Sequence, residues 1–423
     1  MNRASSRIVK TYVSLTLLST FASSFIWGIN TLFLLDAGLT ITEAFTANAF
    51  FTAGQVIFEI PTGIVADTRG RRTSFLLGTA TLFATTIAYL WLWEIKGPFW
   101  AWAIVSALLG LGFTFFSGAT EAWLVDGLKA AGFKKELDGV FAKGAIATGI
   151  AMLTGTVAGG LVAQYTNLGV PYVMRIVALG LTFLIAAFLM HDEGFTAKKR
   201  TSFFEEVRDV ATESMEFGIR NAPIRWMMLS GFFNGGVAIF AFYAMQPYLL
   251  ELYGQSDSYL IAGIAAAIVA GAQIVGGLLV PFTGRLFRRR TSLLIAGVMV
   301  SSVALFLIAV AGNFWIVLIL LAAWSIVFAA TGPVRQTYVN GIVPSEQRAT
   351  VLSADNMFTS AGGVVSQPAL GKVAEVWGYP ASYLGSAIFQ ALALPFLVLA
   401  RRERAKSDPI DSAGLNVASS QPS

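Results

Sequence analysis

The chain has 423 residues, of which 56% are hydrophobic and 13% charged, and its mean hydropathy is +0.68. Soluble domains carry about 25% charged residues, so this composition excludes a water-soluble globule and makes lipid the solvent of most of the surface. The net charge of +5 would suit nucleic acid only if the basic residues formed one patch; they fall instead in short loops between apolar stretches, which excludes that partner.

Twelve apolar stretches are each long enough to cross a hydrocarbon core of about 30 Å. Span 1 covers residues 12–35 and span 2 residues 44–66. Spans 3 to 6 cover 74–93, 98–125, 140–165 and 170–190, and spans 7 to 12 cover 226–250, 259–282, 292–311, 314–339, 350–376 and 381–400. Arg3, Arg7 and Lys10 ahead of span 1 resemble a secretory signal, but the stretch runs to Leu35, beyond the usual apolar core of such signals, so it reads as a retained helix. Of the 29 Lys and Arg, all but Lys96, Lys143, Arg175 and Lys372 lie in the tails, in alternate loops or at the span ends beside them. By the positive-inside rule both termini are cytoplasmic and the number of spans is even.

In span 1, Trp27, Asn30 and Thr31 are the polar or aromatic residues at mid-depth. Along span 2, Asn48, Thr52, Gln55 and Glu59 step by four, three and four, which makes one polar stripe facing the bundle interior. Span 4 carries Thr114, Ser117 and Glu121 at the same spacing, while Asp126 sits about 140° further round. Span 5 carries Lys143, expected to snorkel to the interface, and the glycines Gly155, Gly159 and Gly160. Arg175, near the start of span 6, reads as an interfacial anchor, and His191, the one histidine, as an interfacial residue with no special role. Absence of cysteine excludes disulfides and thiolate metal sites.

Residues 191–225 turn polar. A capping box of Ser202 and Glu205, with Phe203, Val207, Val210 and Phe217 at helical spacing, predicts an amphipathic helix on the membrane surface. In span 7, Asn234, Tyr243 and Gln246 precede Pro247, which loosens the helix ladder beside them. Span 10 carries Trp324, Phe328, Thr331 and Arg335 on one stripe, and span 11 carries Asp355. These boundaries give an N-terminal bundle of residues 1–190, a linker of 191–225, a C-terminal bundle of 226–401 and a disordered tail of 402–423.

The two halves repeat. Arg71-Arg72-Thr73-Ser74 after span 2 recurs as Arg289-Arg290-Thr291-Ser292 after span 8, and Gly118, Glu121, Asp126 and Gly127 match Gly332, Arg335, Asn340 and Gly341 at a constant offset. Order and spacing together argue for six spans plus six. Charges inside a span are costly and usually functional; Glu59, Glu121, Arg335 and Asp355 share one depth in the cytoplasmic half. Glu121 and Arg335, at equivalent positions, are expected to meet as a cytoplasmic gate with Asp355, against the plainer reading of a static salt bridge. Glu59 is the leading proton carrier, with Glu121 second, unless Lys143 satisfies it.

The loop after span 2 reads Gly63-Ile-Val-Ala-Asp67-Thr-Arg69-Gly70-Arg71-Arg72. It resembles the G-x-x-x-D-x-x-G-R-[RK] signature of the major facilitator superfamily, and lies between spans 2 and 3 as in that family. The resemblance implies an all-α membrane fold of twelve transmembrane helices in two pseudo-symmetric six-helix bundles. It also implies a latch in which Asp67 caps a neighbouring helix and the arginines pair with Asp126. Gly155-Thr156-Val157-Ala158-Gly159-Gly160 partly resembles the G-P-x-x-G-G signature of the family's drug and metabolite exporters. Spans 1 and 7 complete the cavity in such proteins, so Trp27, Asn30, Thr31, Ser117, Asn234, Tyr243, Gln246, Trp324 and Thr331 are the substrate-cavity candidates.

No nucleophile with a base, metal cluster or phosphate-binding loop is evident, so neither catalysis, ATP hydrolysis nor a cofactor is expected. The implied function is secondary transport by alternating access. Proton-coupled efflux of a small amphiphilic drug or metabolite leads; uptake of a nutrient or organic anion is the alternative, and a channel or substrate sensor the rival of a different class. The expected partners are the solute, protons and the bilayer, with no nucleic acid and a monomeric state in a plasma membrane.

Overall fold

The structure, a computed structural model, describes residues 3–116, 118–134, 136–196, 208, 212, 218–344 and 348–410. Its first helices are α1 (Arg3–Trp27), α2 (Asn30–Asp36), α3 (Ile41–Arg69), α4 (Arg71–Glu94), α5 (Phe99–Thr114), α6 (Ala119–Ala130), α7 (Asp138–Tyr165) and α8 (Val170–Leu189). After the linker come α9 (Ala222–Tyr253), α10 (Tyr259–Leu286), α11 (Arg290–Val310), α12 (Phe314–Asn340), α13 (Arg348–Ala391) and α14 (Ala393–Arg402). Local chemistry fixes several starts. Thr40 and Glu43 form a reciprocal capping box at α3, and Asn313 accepts from the Trp315 and Ile316 amides at α12, so both helix ends satisfy amides that have no intrahelical partner.

Ten of these helices are long and apolar enough to cross a membrane, and the bent pair α1–α2 makes eleven. The last of them, Val351–Arg402, runs for 52 residues through a non-helical Gly378 with φ 84°. That is more than twice the length of one crossing, and Gly378 divides it. Span 1 is not one helix: α1 and α2 meet at a 49° bend. Span 4 is broken too, between Thr114 and Ala119, where Gly118 takes the left-handed conformation at φ 65°. The stripe of Thr114, Ser117 and Glu121 drawn on an unbroken helix is therefore wrong, and Ser117 itself lies outside the described residues. The amphipathic helix expected from Ser202 to Phe217 also falls outside them.

The chain packs as two compact units: Met1–Val210 with Phe242–Ala267, and Ala211–Ala241 with Ile268–Ser423. The first is held by an aromatic cluster in which Phe33 stacks on Tyr172 at 3.9 Å and Trp93 at 5.7 Å, with Trp102 edge-on at 6.0 Å. The second is centred on Met227, Leu294, Tyr338, Val351 and Leu397. Large apolar side chains such as Ile57, Trp91, Ile104, Phe188, Leu278 and Ile319 point outward; in water they would be a liability, and in lipid they are the expected surface.

The repeat is visible inside each unit. A Cβ on Gly159 of α7 would strike the Phe25 carbonyl of α1, and one on Gly362 of α13 would strike the Phe232 carbonyl of α9. Gly54 meets the Ala107 carbonyl as Gly276 meets that of Ile326. Only glycine lets helix backbones approach so closely. The helix ends repeat as well. Asp192, just after α8, accepts the Arg72 amide at 2.9 Å, and Asp408, just after α14, accepts the Thr291 amide at 2.9 Å. Each aspartate thus caps the third helix of its own half.

Candidate functional site

The signature loop is built around Gly70, whose φ of 102° separates α3 from α4. Asp67 pairs with Arg71 at 2.7 Å, and Arg72 donates from Nη2 to the Ala187 carbonyl at 2.8 Å. The carboxylate at the head of α4 is that of Asp192, held in place because Trp123 Nε1 donates to the His191 carbonyl at 2.7 Å. The resemblance implies that Asp67 caps a neighbouring helix and that the arginines pair with Asp126; here the cap on α4 comes from Asp192, and among the described residues Asp126 pairs with neither Arg71 nor Arg72. Asp126 is half-buried on α6, and Arg69 is exposed. Gly63 is open, with nothing within 4 Å of a Cβ.

In the second unit a cavity of about 400 Å³ is walled by α9, α11, α12 and α13. Arg335 and Asp355 face each other on its wall through both guanidinium nitrogens, Nη1 to Oδ2 and Nη2 to Oδ1, the latter at 2.5 Å. Nη2 also donates to the Met227 carbonyl at 3.1 Å. Asp355 is 3% exposed, so this is a buried, two-pronged ion pair, the geometry that best offsets the cost of removing both charges from water. Thr331, Asn234, Gln336, Asn356 and Thr359 line the same space beside Phe328, Leu294 and Leu352. Asn234 accepts from Gln390 Nε2 at 2.7 Å. Trp324, 3% exposed, does not reach the cavity but stacks on Phe328 at 5.8 Å.

The first unit holds a second polar layer, assembled where two helix defects interlock. The bend at Gly28–Ile29 separates the Thr31 amide from its helical acceptor, the Trp27 carbonyl. The Gln246 side chain fills the gap: Oε1 accepts from Thr31 N at 2.9 Å and Nε2 donates to Trp27 O at 2.7 Å. Pro247, lacking an amide proton, leaves the Tyr243 carbonyl without its usual donor, and the Thr31 hydroxyl donates to it at 3.0 Å. Freed backbone groups inside a membrane must be satisfied locally, and here each broken helix satisfies the other. Beside them Tyr172 donates to Asn30 Oδ1 at 2.9 Å, and Asn30 Nδ2 donates to Asn48 Oδ1 at 3.1 Å.

Two expectations change at this layer and at the chain's end. Arg175 is no interfacial anchor: it is 1% exposed, because it shares the inward stripe of Tyr172, Leu179, Thr182 and Ala186 on α8. That stripe was readable from spacing alone. The tail, expected to be disordered from residue 402, packs from there to Ile410, with Ser407 Oγ donating to Tyr338 O at 2.7 Å, Asp408 2% exposed and Ile410 N donating to Arg288 O at 3.0 Å; its later residues lie outside the described ones. Of the carboxylates singled out by depth, Glu59 is half-buried and engaged by a neighbour, while Glu121 is exposed in the first turn of α6. Lys143 is exposed as expected. Gly155 and Gly160 sit in close contact, Gly155 against Ser24 and Gly160 against Gly263.

The comparisons with known proteins agree with this architecture. The nucleoside transporter NupG superposes with a TM-score of 0.73 at 14% identity, over 94% of this chain and 99% of its own. A bacterial homolog of the human lysosomal transporter Spinster, captured inward-facing and unoccupied, gives 0.72 at 14% identity, over 97% and 100%. A D-xylose-proton symporter gives 0.67 at 16% identity, over 92% and 96%. At these identities the likeness speaks for the fold alone. No curated protein matches the sequence. The profile of the Major Facilitator Superfamily, however, matches residues 12–286 and 272–422, nearly the whole length, and on that match the chain belongs to the Major Facilitator Superfamily of membrane transporters.

Proposed function

We propose that this transporter is a proton-coupled secondary carrier working by alternating access, with Asp355 as the coupling acid and Arg335 as its electrostatic partner. The observation that carries the reading is the buried ion pair on the wall of a solute-sized cavity. Pockets of a few hundred Å³ with few, well-placed polar groups are the usual ligand sites. A proton delivered to Asp355 removes the charge that holds Arg335, and a solute then competes for the freed guanidinium. Glu59 and Glu121, on α3 and α6, are the rival proton carriers.

The mixed lining, with Phe328, Leu294 and Leu352 beside Asn234, Gln336 and Asn356, suits a small amphiphilic solute. The partial likeness of Gly155-Thr156-Val157-Ala158-Gly159-Gly160 to the signature of the family's exporters supports export as the direction. In this proposal the protein is a monomer in a plasma membrane with both termini cytoplasmic. Uptake of an organic anion is the second reading, favoured by the arginine on the cavity wall.

The test is transport in liposomes carrying an internal pH dye, with candidate solutes first found by protection of a pump-deficient host at two external pH values. Accumulation should follow the imposed pH gradient and collapse with a protonophore. Asp355→Asn should lose gradient-driven accumulation while retaining solute exchange. Transport indifferent to the gradient, or an Asp355→Asn protein with unchanged gradient dependence, would rule the assignment out. Protection against no compound in the host, with uptake in liposomes, would reverse the direction.

A further inference from the structure

Arg175 is buried, at 1% exposure. Its polar contact among the described residues is one hydrogen bond, from Nε to Thr86 Oγ1 at 3.1 Å. Nη2 is buried with no acceptor, and the Phe113 ring lies 5.8 Å from Cζ. No carboxylate pairs with it among the described residues. A guanidinium cannot shed its proton, and a buried charge with no counter-charge is among the costliest arrangements a membrane helix can hold.

A second orphaned donor opens on the same space. The chain of hydrogen bonds from Tyr172 to Asn30 to Asn48 occupies the Asn48 oxygen and turns its amide nitrogen outward, and Asn48 Nδ2 is buried with no acceptor. Arg175 and Asn48 both line a cavity of about 30 Å³, with Trp27, Asn30, Tyr89 and Tyr243 around them. They also share one depth. Asn48 lies seven residues into α3 and Arg175 five into α8, which is about 8–10 Å from the helix ends at 1.5 Å per residue. One water needs about 10–15 Å³ of such space, so the cavity takes a single small group. The two orphaned buried atoms among the residues that line it, Arg175 Nη2 and Asn48 Nδ2, are both donors.

We propose that this cavity is an anion-binding subsite, in which Arg175 Nη2 and Asn48 Nδ2 hold one halide or one carboxylate head. The anion is either inorganic or the acidic group of the transported solute; the chemistry at the protein is the same. The subsite does not depend on Asp355 being the coupling acid.

The test uses the full-length protein in detergent, with thermal unfolding followed during titration with sodium chloride, sodium acetate or sodium benzoate. Ionic strength is held constant with the sodium salt of a bulky sulfonate. At least one of the three should raise the unfolding temperature saturably. The response should vanish in Arg175→Gln, persist at weaker affinity in Arg175→Lys, and weaken at least tenfold in Asn48→Ala, which keeps the charge and guards against a misfolded Arg175→Gln. A chloride response assigns the site to an inorganic anion, and a response confined to acetate or benzoate assigns it to the solute. No saturable response to any of the three, or an undiminished one in both Arg175→Gln and Asn48→Ala, overturns the proposal. Loss of proton coupling in the liposome assay would leave it standing.

Discussion

Replacing Gln246 by leucine removes the amide that bridges the bend of the first span while preserving most of the side-chain volume. The change strands the Thr31 amide and the Trp27 carbonyl, which Gln246 now joins at 2.9 and 2.7 Å. Gln246 is 1% exposed and Thr31 is fully buried, so water does not easily replace the lost partner. An orphaned buried polar group costs about 1–3 kcal/mol. Trp27 is only half-buried and takes the lower figure, which gives a total of about 3 kcal/mol, or roughly a hundredfold in the opening equilibrium of this segment. The assay is hydrogen exchange by mass spectrometry on purified protein, reading the peptide that spans Ile29 to Phe33, with the unfolding temperature measured in parallel. Gln246→Leu should speed exchange there about a hundredfold and lower the unfolding temperature. Gln246→Glu tests the donor arm. Its carboxylate can accept from Thr31 but donates to Trp27 only when protonated, so the fold favours the protonated form, and stability is present at acidic pH and lost as pH rises. Wild-type exchange in Gln246→Leu would refute the reasoning, since it would mean that the ladder closes on itself without the side chain.

Two further outcomes follow from packing and capping. Gly159→Ala places a methyl against the Phe25 carbonyl and should destabilise by about 1–3 kcal/mol or more through overpacking, whereas Gly63→Ala, with open space around it, should be neutral or stabilising by up to about 1 kcal/mol; equal unfolding temperatures for the two variants would contradict the helix contact. Asp408→Ala should cost about 0.5–2 kcal/mol, the usual worth of an N-terminal cap, and chain truncation after residue 404 should cost at least as much while truncation after residue 410 should not, as read by thermal unfolding of the three proteins.

Hydropathy made the crossings legible because lipid imposes one length on every span, and the loop motif carried the family. Depth counted along a span also worked where both partners lay in one unit, which is why Arg335 and Asp355 could be put at one level before their contact was known. Facing was harder. Distance from a helix end makes Arg175 an interfacial anchor, whereas its spacing from Tyr172 and Thr182 puts it on the inward stripe. The breaks after Trp27 and Thr114 leave no local mark beyond a glycine, since each is met by groups far away in sequence: Gln246 lies 215 residues from the Thr31 amide it accepts, and Ser74 Oγ donates to the Phe115 carbonyl at 2.8 Å. The cap on α4 falls to Asp192, 120 residues from the Arg72 amide, for the same reason. A loop that folds back chooses its partner by three-dimensional reach, and sequence spacing within one helix does not report it.

The two capping aspartates also bear on how the molecule can be cut and joined. The last helices of the halves stop at Leu189 and Arg402, but the material that completes each half extends further, to the turn closed by Phe195 N on Asp192 O in one and to Ile410 in the other. A half expressed alone, a split reporter or a C-terminal fusion that ends at the membrane boundary would leave the third helix of that half with a bare amide end. Junctions set after Phe195 and after Ile410 keep both turns, and with them the caps on α4 and α11.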